Sequence, residues 1–158
     1  MKTVYISLLL LLTSCYSSEV DTVFTPYVDK FFIEAEKQGM HLDMGKWSIK
    51  FGKPEGALGL TVYSRKVIII NKDDWKILNE TRRELLIFHE LGHAILNRKH
   101  LTGMIPHEPD TTYVNGRNFI CTAKPISIMV PSAGGILYGG GHYHNEYDYY
   151  MKELFNNK

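Results

Sequence analysis

The sequence predicts a single α+β domain: a helix, a small mixed sheet containing a hairpin, a second helix, a loop region and a terminal helix. Three observations predict it. Short β-type runs crowd between residues 47 and 71, helical periodicity precedes and follows them, and Pro and Gly gather between Leu101 and Gly141. At 158 residues the chain can enclose one sizeable core, with little room for a second domain.

Residues 1–14 are set apart from that domain. Lys2 is a minimal positive start, and Val4 to Leu12 form an apolar run too short to span a bilayer comfortably, which reads as a signal peptide. The run ends in Leu12-Thr13-Ser14-Cys15, which resembles the lipobox of bacterial lipoproteins. That resemblance implies cleavage before Cys15, a lipid on its thiol, and a place at the bacterial cell envelope, in the inner or outer membrane or at the cell surface. Residues 15–23 then form a tether, and residues 24–158 the domain. With Cys15 acylated, Cys121 has no disulfide partner and reads as a small buried hydrophobe.

Along the domain, Thr25-Pro26 reads as an N-cap followed by Pro at the first helical position. Val28, Phe31, Phe32 and Ala35 recur at helical spacing, and Gly39 closes that helix. Trp47 to Phe51 alternates like a strand. Ala57 to Tyr63 and Val67 to Asn71 read as an antiparallel hairpin joined by Ser64-Arg65-Lys66. The run Val67-Ile68-Ile69-Ile70 is apolar on both faces and suits an inner strand, whereas Gly59 and Thr61 thin out the other, as on an edge. Thr81-x-x-Glu84 has the form of a capping box at the head of the next helix. Pro106, Pro109, Pro125 and Pro131 mark an irregular region, and Asn145 to Phe155 reads as a final helix.

Charge excludes one class of partner. Lys and Arg number 18 against 17 Asp and Glu, and loss of the leader removes Lys2 alone, so nothing marks a nucleic-acid surface.

The chemistry lies in Leu85 to His100, which contains His89-Glu90-x-x-His93. Residues four apart share a helix face, so two neutral imidazoles can hold one ion, with the Glu90 carboxylate beside it as a base for water. A catalytic zinc takes three protein ligands and keeps one position open. His100 is the candidate third. On an unbroken helix it would lie about 10 Å beyond His93, too far for one ion. Asn97 can end the helix, because Asn enters the left-handed region easily, and the chain can then fold back. Arg98, Lys99 and His100 read alternatively as cations at a helix C-terminus.

The stretch resembles the zinc motif of the metzincin clan of metallopeptidases, His-Glu-x-x-His-x-x-Gly-x-x-His. Asn97 and His100 keep the interval between the helix-ending residue and the third His. The helix is longer by one residue, and strict spacing would put Lys99 in the ligand's place. Pro125-Ile126-Ser127-Ile128-Met129-Val130-Pro131 resembles the clan's Met-turn, which implies that Met129 supports the histidines from beneath without ligating. Together these imply a zincin-like fold and a zinc metallopeptidase, a metalloendopeptidase acting on peptide or protein substrates. Zn2+ would be the cofactor, His89, His93 and His100 its ligands, Glu90 the general base, and Ala57 to Tyr63 the strand that receives the substrate. Two alternatives stand beside it. One is a gluzincin-type peptidase with Glu146 as third ligand; His107, Glu108, His142 and His144 are further candidates, in loops that could fold over the site. The other is a zinc-binding lipoprotein without turnover.

Overall fold

The three β-type runs form one sheet in the order β1-β3-β2. These strands are β1 (Ser48–Gly52), β2 (Gly59–Val62) and β3 (Val67–Asn71). The architecture comes from a computed structural model that describes residues 20–114, 117–131 and 142–156. Cys15 and the leader before it lie outside the described residues, as does the side chain of Cys121.

β3 runs parallel to β1 and antiparallel to β2, so the doubly apolar run is the central strand and β2 an edge, as its composition predicts. A 3-10 turn over Tyr63–Arg65 and a left-handed Lys66 (φ 51°) close the hairpin, shortening β2 from the expected Ala57 to Tyr63. Val20 pairs with Ile49, and the Asp21 N–H donates to the Ile49 carbonyl at 3.1 Å. Residues read as tether therefore dock on β1. The reason is that a bare strand edge leaves backbone groups unsatisfied.

Helix α1 (Thr25–Lys37) begins one residue earlier than its capping signal suggests, with Phe24 at the cap and Pro26 in the first turn. It ends at Gly39 as expected: the N–H of Met40 reaches the Ala35 carbonyl at 2.9 Å, and that of Gly39 the Glu36 carbonyl at 2.9 Å. Its apolar face packs on helix α3 (Glu80–Ala94), with Phe31 and Phe88 edge to face at 5.3 Å between centroids. Phe31 also meets Phe155 of the terminal helix α4 (Tyr147–Asn156) at 5.0 Å. Each such ring contributes about 1.5–3 kcal/mol by leaving water. Ile49, Ile68 and Ile70 line the sheet side of the same core. α3 thus runs through the middle of the molecule, and Leu85 to Gly92 are all buried.

Two expectations are corrected here. The cap of α3 is Asn79, whose side chain accepts the Arg82 N–H at 3.0 Å, and not the Thr81-x-x-Glu84 box. A helix starting at Glu80 carries Glu84 past the first turn, beyond reach of the free N–H groups. Glu84 instead takes the Lys30 ammonium at 2.7 Å and the Tyr143 hydroxyl at 2.9 Å, binding α3 to α1 and to the turn before α4. A short separate helix, α2 (Lys72–Ile77), precedes it, capped by Asn71.

The second correction concerns the region after Leu101. It is not mostly irregular: β4 (Met104–Val114) and β5 (Arg117–Pro125) form an antiparallel pair. A two-stranded ribbon has two outer edges, so prolines can stand where no ladder bond is needed. The ladder shifts register between Pro106 and Asp110, and Pro125 stands at the end of its strand.

Candidate metal centre

Three imidazoles converge at one end of the cleft between α3 and β2. The Nε2 atoms of His89 and His93 lie 3.2 Å apart, and those of His89 and His100 3.3 Å apart. All three residues offer nitrogens within 4.8 Å of one another, a group that could hold a metal ion. Tetrahedral ligands at 2.0–2.1 Å from a zinc stand about 3.3 Å apart, and the two separations from His89 are of that size. His89 is buried, His93 half-buried and His100 exposed, which leaves the cluster open towards solvent on one side.

Local chain geometry explains the convergence. His89 and His93 come from successive turns of α3. The helix ends at Ala94 with Ile95 as its cap, and Asn97 adopts φ 53°, the left-handed conformation anticipated for it. The reversed chain carries His100 back to the other two. The strict-spacing position, Lys99, is exposed.

Protonation follows from the partners. His89 Nδ1 lies 2.8 Å from the Ile128 carbonyl, and His93 Nδ1 lies 2.6 Å from the Arg98 carbonyl. A carbonyl only accepts, so each Nδ1 carries the hydrogen and each neutral ring leaves a bare lone pair on Nε2. Burial keeps both rings neutral: it pulls the His89 pKa down to about 4, against the Ile128 bond, and lowers that of His93. Two bare lone pairs 3.2 Å apart cannot bond each other. They suit a cation placed between them.

Glu90 lies beside the imidazoles on the wall of the cleft. The Thr61 hydroxyl donates to its Oε2 at 2.7 Å. Burial pushes the carboxyl up to about 7 in the chain alone, with the Thr61 bond pulling the other way; a cation on the neighbouring rings would lower it again. Gly59 makes this placement possible: a Cβ there would come within 2.6 Å of Glu90 Oε1. In the sequence, Gly59 and Thr61 mark only an edge strand. Their partnership with Glu90 joins β2 to α3 across about thirty residues of chain and leaves no local pattern.

Met129 lies fully buried beneath α3, where Gly92 leaves room for it: a Cβ on Gly92 would meet its sulfur at 2.6 Å. The Met129 carbonyl accepts the Leu101 N–H at 2.7 Å, holding the segment that bears His100. Among the alternative ligands, Glu146 forms an ion pair with Lys124. His142 is buried and His144 exposed, and neither belongs to the convergent group. The side chains of His107 and Glu108 lie outside the described residues.

No family model, curated protein or solved structure matches this chain.

Proposed function

We propose that this chain is a zinc-dependent endopeptidase with a zincin-like fold, held at a bacterial cell envelope by lipid on Cys15. The observation that carries the reading is the His89, His93 and His100 triad with Glu90 beside it, in a cleft that runs along the outer edge of β2. Three imidazoles form a donor set that zinc favours, and three protein ligands leave one position for substrate or water.

The cleft, about 330 Å³, is lined on one side by β2 and on the other by α3. The Asn71 N–H donates to the Leu58 carbonyl at 2.8 Å. Bonded pairs alternate along an antiparallel ladder, so the backbone groups of Gly59 and Thr61 face away from β3. Among the described residues no strand covers that edge. An extended peptide can add there through main-chain hydrogen bonds, laying one of its carbonyls near the imidazoles.

A zinc ion in this position supplies Lewis acidity for the water and the scissile carbonyl. The remaining work falls to the chain. Glu90 takes the proton of the attacking water and returns it to the departing amine. Thr61 orients that carboxylate, and the Ile128 and Arg98 carbonyls fix the tautomers of His89 and His93. A binding module with the same three ligands has no task for Glu90. Hydrolysis of an unfolded protein by the zinc-loaded chain, compared with its Glu90→Gln variant, separates the two.

The anchor has its own test. Wild-type protein is expected in the membrane or detergent fraction, with Cys15 as its first residue. Cys15→Ser is expected to release it or to block removal of the leader. A mature wild-type chain that is wholly soluble and starts elsewhere would remove the lipid from the proposal.

A further inference from the structure

Both carbonyls that orient the zinc-site imidazoles belong to loops held by a single carboxylate, that of Glu153 on α4. Its Oε2 accepts the Ser127 hydroxyl at 2.6 Å, and the Ser127 oxygen in turn accepts the Met129 N–H at 2.9 Å. Those two bonds bracket Ile128, whose carbonyl takes the His89 Nδ1–H. Glu153 Oε1 forms an ion pair with the Arg98 guanidinium. Arg98 also donates to the Glu153 carbonyl at 2.8 Å and the Leu154 carbonyl at 2.7 Å, capping the end of α4. Arg98 is the residue whose own carbonyl takes the His93 Nδ1–H.

We infer that Glu153, acting through Ser127 and Arg98, is the positioning residue of the metal centre. The two loops also meet directly through the Leu101 N–H and the Met129 carbonyl, at 2.7 Å, but Glu153 is the side chain that reaches both beside the two carbonyls aimed at the ligating rings. Its place supports the assignment. Glu153 and Ser127 are buried, and the Arg98 side chain is nearly so. Burying a charged pair is costly even when it is well partnered, and apolar side chains would fill the same space at less expense. What apolar packing cannot do is hold two carbonyls at set angles to two imidazole N–H groups. Outer partners of metal-bound histidines do that elsewhere, and their loss commonly costs about 10- to 100-fold in metal affinity.

The inference rests on the metal-site reading above, and cobalt(II), a coloured stand-in for zinc, tests both without an activity assay. Glu153→Gln keeps the side chain's shape but removes the charge. Ser127→Ala deletes one buried oxygen and leaves the ion pair intact, so it decides the matter if Glu153→Gln fails to fold. Each variant is expected to bind cobalt about 10- to 100-fold more weakly than wild type. The cobalt visible spectrum should change as well, marking altered ligand geometry. A residue with a merely structural role would lower the melting temperature and leave that spectrum alone. Wild-type affinity and spectrum in the folded variants would overturn the inference while sparing the metal site. A wild-type chain that takes up no cobalt would overturn both.

Discussion

Replacing Glu90 by Gln is expected to lower peptide hydrolysis by a factor of about 10²–10⁴ or more while leaving zinc content at the wild-type level. The two side chains have the same shape, so the variant keeps its fit against Gly59, and its carbonyl oxygen can still accept the Thr61 hydroxyl. What it loses is the capacity to take a proton. The imidazoles are untouched, so the metal stays.

The same variant carries a stability signature in the metal-free state. Burial raises the Glu90 pKa from its ordinary value near 4.5 to about 7 in the folded chain. Below 4.5 the group is neutral whether folded or unfolded. As pH rises through this window the unfolded chain ionises first, and the folded state loses relative stability until about pH 7. Gln has no charge to bury. Metal-free Glu90→Gln is therefore expected to melt above metal-free wild type at pH 8, with the gap closing towards pH 4. Wild-type turnover in the variant would remove Glu90 from the mechanism.

The second large effect is expected at His100. Ala at this position should weaken zinc binding by at least about 100-fold, beyond the usual loss of an outer hydrogen-bond partner. The fold should not suffer, because His100 is exposed and exposed substitutions commonly shift stability by no more than about 0.5 kcal/mol. Thermal melting with and without zinc separates these effects. A ligand present at a hundred times its dissociation constant stabilises by about 2.7 kcal/mol, and His100→Ala should lose that gain while matching wild type without zinc. Retained zinc stabilisation would mean that another residue, such as Glu146, completes the site.

How far this was legible in the sequence depended on the distance over which each feature is written. His89, Glu90 and His93 lie within two helical turns, where a period of 3.6 residues places side chains by arithmetic. His100 was legible for one reason, that Asn97 offers a left-handed stop. The hairpin of β2 and β3 followed from two apolar runs and a short connection. β4 and β5 were obscured because Pro106, Pro109 and Pro125 break the strand pattern on either side of Asn115-Gly116, a dipeptide that favours hairpin turns. The support of the site was beyond reach. Arg98 and Glu153 stand 55 residues apart, and α4 presents Glu153 among buried positions where its charge gives no sign of a partner. Arg98 was readable as a cation at the end of its own helix, yet it caps the end of α4.

The most direct measurement is the position of zinc itself, located by anomalous scattering at the zinc edge in crystals of the zinc-loaded chain. The expected result is one peak about 2.0–2.1 Å from the Nε2 atoms of His89, His93 and His100, with Glu90 close by but outside ligand distance. A peak held by His89 and His93 with some other third residue, or no peak between these rings, would contradict it.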